Sequence, residues 1–456
     1  MSSSAPPRQM HLGAFFFGVG HHLAAWRHPQ VDPAAASDIE SLKDWARLAE
    51  AAKFDAIFFA DNVGLPGPPD DVVARNALWY PMEPLLSLAA ISQATTHIGL
   101  VATVSATYLP AYHLARKYAT LDRLSGGRSG WNLVTSGSDF EARSFGLPEQ
   151  LQHAHRYARA HEYVKVVKGL WDTWEDDAFI HDKAANRFFD TSKLHRVAHQ
   201  GEHFTVHGGL QTPRAPQGYP VLVQAGSSED GQDLAAATAE VVFTAQQTLA
   251  QAQAFYKSLK GRLAAHGRRP EGLKILPGIS TFVGRSEQEA REKFEQLQSL
   301  IDPVLGLGLL STFLGNVDLS AYPIDGPFPQ DLPVTEGWKS RQELFANLAR
   351  RENLSIRQLY ERVAGARGHW TVVGTPTSIA DQMQEWFESG GADGFNVLGP
   401  TLPHGLRDFA ELVVPELQRR GLFRTEYSGR TLRDHLGLVR PPHPAASAAN
   451  VPLSNP

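Results

Sequence analysis

Residues 126–138 read GGRSGWNLVTSGS. Gly126 and Gly127 stop the helical pattern before them. Next comes a strand-sized apolar run with Trp131, Leu133 and Val134 at its heart. It holds Asn132 mid-run and ends in Thr135, Ser136 and Ser138. An unpaired buried amide costs about 1–3 kcal/mol, so Asn132 needs a polar neighbour. Near-continuous apolar strands suit a parallel sheet covered on both faces.

On either side of this stretch the same pattern recurs. Strands are expected at 11–20, 54–61, 97–105, 220–226, 240–245, 273–284 and 393–399, besides the opening stretch. Helical spacing fills the gaps at 38–53, 84–95, 111–124, 153–174, 230–239, 247–265, 286–300 and 376–390, with a last helix at 406–421. Ser37 or Asp38 is the expected cap of the first helix. Eight strands alternating with helices predict an α/β fold, a (β/α)8 TIM-like barrel with insertions. A doubly wound sheet is the rival, but no G-x-G-x-x-G follows the first strand. The expected organisation is one barrel domain over 1–440, with insertions near 175–219 and 302–370 and a flexible tail at 441–456. The first insertion should hold a small hairpin, and the second reads as irregular.

Composition narrows the function. The net charge is −5 with no basic block, which argues against nucleic acid. There is no cysteine, so thiol catalysis, thiolate metal sites and disulfides are excluded. The N-terminal MSSSAPPRQM has no apolar core of a signal peptide, and no apolar run has membrane-spanning length. The expected location is the cytoplasm.

In a barrel, function collects where strands end. Here the ends carry His21-His22, Asp61-Asn62, Thr103 with Ser105, Thr135 with Ser136, and Ser227-Ser228. Helix caps use the same residue types, so the set matters more than any member. In QAGSSEDG, residues 224–231, Gly226 permits close backbone approach and two hydroxyls precede a helix N-terminus, an arrangement suited to a phosphate or to a plain cap. His153 and Tyr157 are four apart and share a helix face. They suit a phosphate or sugar-alcohol chain, or a surface histidine beside a half-buried tyrosine. Neither the His21-His22 pair nor the H-x-H at 153–155, on a helix, converges on one metal, no H-E-x-x-H is present, and no metal is expected. No G-x-S-x-G elbow is present either.

Several stretches resemble the bacterial-luciferase-like flavin monooxygenases: FFFGVGHHLAAWRHP, FDAIFFAD, GGRSGWNLVTS, HRYARAHEYVKVVKGLWDTW, QAGSSEDG and GLFRTEYSGRTLRDHLGL. The resemblance spans roughly residues 10–437. It is strongest to the subgroup of nitrilotriacetate, dibenzothiophene sulfone and long-chain alkane monooxygenases. It implies reduced FMN (FMNH2) as cofactor, O2 as co-substrate, and oxygen transfer through a C4a-(hydro)peroxyflavin. A separate NAD(P)H:flavin reductase is the implied partner, and a homodimer or homotetramer the implied assembly. By residue, it implies flavin contacts from Asp61, Thr103, His153, Tyr157, Ser227 and Ser228, and a catalytic role for His21 near the reacting oxygen. By position, Asn132 should face the flavin, with Ser136 the alternative if the strand bulges. The alkane-oxidising relatives carry a cysteine before the equivalent of His21, where this chain has Gly18 and Val19. Phe15, Phe16 and Phe17, and the lack of an Arg or Lys run, favour a small hydrophobic substrate under a lid from 302–370. Two rival functions are a deazaflavin-dependent oxidoreductase and a flavin-binding protein without turnover.

Overall fold

In the computed structural model, which describes residues 8–65, 70–78, 81–315, 317–329, 331–332 and 339–448, alternate residues of each strand belong to different cores. The strands are β1 (His11–Phe16), β2 (Ala56–Phe59), β3 (Gly99–Ser105), β4 (Ser129–Val134), β5 (Val197–Gln200), β6 (Thr205–Gly208), β7 (Val221–Ala225), β8 (Val241–Thr244), β9 (Lys274–Val283), β10 (Trp370–Gly374) and β11 (Gly394–Leu398). Leu12, Ala14 and Phe16 of β1 pack outward with Ile57, Leu100, Trp131 and the surrounding helices. Phe15 turns inward with Phe58, Val101, Val223 and Phe243. Burial on both faces is what the apolar runs predicted.

The eight expected strands close a parallel barrel in the order β1-β2-β3-β4-β7-β8-β9-β11, and β11 returns to β1. β5 and β6 form the expected hairpin in the first insertion. β10 is a strand the sequence reading missed. It pairs with the far half of β9, from Trp370↔Ile279 to Gly374↔Val283, while β11 holds the nearer part at Gly278 and Ile279. β9 therefore forks.

The second insertion is mostly helical rather than irregular. Pro303–Phe313, Lys339–Glu352 and Ile356–Ala364 are helices around their own core of Leu310, Leu314, Phe328, Phe345 and Leu359. Glycines hid the pattern: a Cβ on Gly306 would lie 2.6 Å from the Tyr360 ring, so that glycine serves close helix packing. Residues 316, 330 and 333–338 of this insertion lie outside the described residues.

The last segment plugs the barrel from below. Leu432, Leu436 and Leu438 join the inner core, and a methyl on Gly99 would collide with Leu432. Arg433 binds Glu240 and the Gln217 and Tyr219 carbonyls. Arg424 binds Asp55, which also takes the Leu12 N–H at 2.7 Å and His11 Nδ1 at 2.9 Å. Burial opposes the charge on Asp55, but Arg424 and His11 outweigh it and hold the carboxyl below its usual range. Of the tail expected at 441–456, Pro441 accepts from Arg214 and His443 donates to the Asp172 carbonyl. Residues 1–7 and 449–456 lie outside the described residues. No described helix is long and apolar enough to cross a membrane.

Candidate active site

Polar strand ends and the lid helix Lys339–Glu352 enclose a cavity of ≈ 570 Å³ at the C-terminal mouth of the barrel. Of the eight expected site residues, Asp61, His153, Tyr157, Ser227 and Ser228 line it, whereas His21, Thr103 and Asn132 do not. Gln224, Arg341 and His369 also line it, and the sequence reading passed over all three.

Ser227 and Ser228 divide their work. Ser228 caps the helix Glu229–Thr238, its hydroxyl accepting the Gly231 N–H at 3.2 Å. Ser227 Oγ lies 3.2 Å from Thr244 Oγ1. The first N–H groups of the helix have no intrahelical partner. Glu229 and Asp230 oppose anion binding there, but each is paired, Glu229 with Arg262 and Asp230 with His153 at 2.9 Å. His153 and Tyr157 share a face as expected, with ring centroids 4.8 Å apart. The Tyr157 hydroxyl hangs over the turn. A Cβ on Gly231 would sit 3.3 Å from it and 3.0 Å from Ser228 Oγ.

Asn132 is buried inside the barrel, 2% exposed. Its amide donates to Thr103 Oγ1 at 2.8 Å, and Thr103 donates to the Phe59 carbonyl at 2.8 Å. That fixes the amide's orientation and leaves Asn132 Oδ1 without a partner. Trp131 turns outward and donates to the Val104 carbonyl. Ser136, with a left-handed φ of 55°, lines the cavity together with its neighbours Leu133, Val134, Thr135 and Gly137. Its hydroxyl meets Ser105 Oγ at 3.0 Å and Glu141 at 3.1 Å. Gln224 donates to the Gly231 carbonyl, and its Oε1 has no partner.

The electrostatics differ around the rim. Burial, then the charges of Glu83 and Glu141, push the Asp61 carboxyl up to about 7. His21 is fully buried against Phe15, with ring centroids 4.5 Å apart. Its Nε2 donates to the Phe15 carbonyl at 3.0 Å, and its Nδ1 accepts from Arg367 at 2.8 Å. Both ring nitrogens are thus engaged, and burial followed by Arg367 keeps the ring neutral. His369 stacks on Phe243 at 4.8 Å and accepts an N–H from Arg341 at 3.0 Å.

A closed parallel barrel with this mouth is matched by comparison with known proteins. The family model described as luciferase-like monooxygenase matches residues 19–394. The chain is 50% identical over 446 residues to nitrilotriacetate monooxygenase component A of Aminobacter aminovorans, covering 96% of this chain and 98% of that protein. It is 42% identical over 449 residues to dibenzothiophene-sulfone monooxygenase of Rhodococcus erythropolis (strain XP), covering 95% and 98%. The crystal structure of riboflavin lyase with modified FMN and substrate riboflavin has a TM-score of 0.87 at 30% identity, covering 96% of this chain and 99% of that one. The chain belongs to the luciferase-like monooxygenase family and is a flavin-dependent monooxygenase.

Proposed function

We propose that the chain is the oxygenase component of a two-component system. It takes reduced FMN from a separate NAD(P)H:flavin reductase and uses O2 to oxygenate a small organic substrate. One relative is itself named a monooxygenase component, and one solved neighbour holds modified FMN. The observation that carries the reading is the cradle at the N-terminus of Glu229–Thr238. Gly231 leaves room that a Cβ would fill, beneath Tyr157 and beside Ser227 and Ser228. Backbone N–H groups and hydroxyls at a helix start suit a phosphate.

Beside that cradle, Gln224 lines the cavity and carries a buried acceptor, Oε1, with no partner. Ser227, Ser228 and Tyr157 would hold the phosphate, with His153 kept in place by Asp230. When bound, reduced FMN activates O2 so that one oxygen atom enters the substrate and the other leaves as water. The chain's own contribution is to orient the ring and exclude water. His21 is a positioning residue in this scheme, holding Arg367 through Nδ1.

The test is rapid mixing of protein and reduced FMN with oxygenated buffer. Oxidised FMN should form after a delay relative to free flavin. Appearance at the free-flavin rate, with no binding, would overturn the reading.

A further inference from the structure

On the lid side of the cavity stands a guanidinium that pairs with no carboxylate among the described residues. Arg341 stands near the start of the helix Lys339–Glu352 and lines the cavity. A guanidinium has five N–H donors. Two are used, one on the Arg367 carbonyl at 2.6 Å and one on His369 Nε2 at 3.0 Å. No described carboxylate pairs with Arg341, and the charge acting on it is that of Arg367, also positive. Burial and that neighbour push its pKa down to about 9. Glu343, two residues along the helix, lines the same cavity but is not paired with Arg341. Asp61 and Glu141 act on one another instead.

His369 fixes the position of that guanidinium. It is 5% exposed and lines the same cavity. Because Nε2 accepts from Arg341, the proton belongs on Nδ1. Nδ1 is buried and faces the barrel wall, toward the Thr244 backbone and Gly278. Burial, then Arg341 and Arg367, keep the ring neutral, so it accepts from Arg341 without adding charge. Gly278 makes room for it, since a Cβ there would collide with Nδ1.

A purely structural clamp would explain the two bonds Arg341 makes. It would not explain a partly buried guanidinium held without a counter-charge, which is costly. The fork geometry of arginine matches a carboxylate. We propose that Arg341, held in place by His369, forms a subsite for a carboxylate of the substrate, so that the enzyme oxygenates an organic acid rather than a neutral hydrocarbon. This rests on the reading of the cavity as the oxygenation site.

The test is calorimetric titration of the FMN-loaded protein with malonate, succinate and glutarate, and with succinamide as the neutral control. At least one acid should bind saturably and succinamide should not. Arg341→Gln should weaken that binding by about tenfold or more, and Arg341→Lys by less. Asn347→Asp, an exposed change on the cavity wall that leaves the bonds of Arg341 intact, should also weaken it. FMN and riboflavin affinities should be unchanged in Arg341→Gln. Absence of acid binding to the wild type, or equal binding by a folded Arg341→Gln, would overturn the proposal. So would a loss of FMN but not riboflavin binding in that variant, which would assign Arg341 to the flavin phosphate. If the wild type fails to bind FMN, the functional reading fails instead, and titrating the flavin-free protein still tests the subsite.

Discussion

Asp61 shows how one buried side chain writes a pH dependence. Its pKa is about 7 in the folded protein against an ordinary 3.8. Between those values the folded state holds the proton more tightly than the unfolded state, so the stability from this group falls as pH rises. It is fully present below about pH 4 and lost above about pH 7. Asp61→Asn removes the penalty. We expect the variant to gain on the wild type by on the order of 1–2 kcal/mol between pH 5 and pH 8, after discounting for water access. Urea denaturation at the two pH values checks this, and a gap independent of pH would contradict it. The sequence showed Asp61 as a polar strand end, but its neighbours Glu83 and Glu141 come from other segments. Asn132 was legible in part. A buried amide needs a partner, and Thr103 supplies one on the adjacent strand. Ser136, not Asn132, lines the cavity, with a left-handed backbone that no residue pattern announced.

At the scale of elements, β9 is the organising strand. It pairs with β8, β11 and β10, and its Gly278 gives His369 its place. Gly278→Ala should displace a ring that is stacked on Phe243 and bonded to Arg341. The expected loss is about 1–3 kcal/mol of stability, together with weaker binding of the dicarboxylate that the wild type takes. An unchanged denaturation midpoint and affinity would contradict that packing. The eight barrel strands were readable because two-sided burial makes each an apolar run. β10 was not, because it is short, half-exposed and follows an insertion. Arg341 and His369 flank the part of the chain least legible in sequence. The helix Lys339–Glu352 has an ordinary charged composition, and only the tertiary fold lays it over the barrel mouth.

For the whole molecule, the barrel is closed at one end by the chain's own last segment and at the other by its second insertion. Leu432 fills the space left by Gly99 and Gly130, and Arg433 and Arg424 tie the plug to Glu240 and Asp55. Leu432→Ala should cost about 2–5 kcal/mol, read from the denaturation midpoint, without altering flavin affinity. A cost below about 1 kcal/mol would mean that the plug does not support the barrel. At the open end, Ser227, Ser228 and Tyr157 are assigned the phosphate of FMN, and the function rests on that assignment. It is tested by an anaerobic titration of reduced FMN against the wild type and Ser228→Asp. Aspartate preserves the helix cap and sets a negative charge against the phosphate. The expected result is one saturable site per chain in the wild type and affinity lower by about tenfold or more in the variant. No saturable binding by the wild type, or equal affinity in the two proteins, would contradict the assignment.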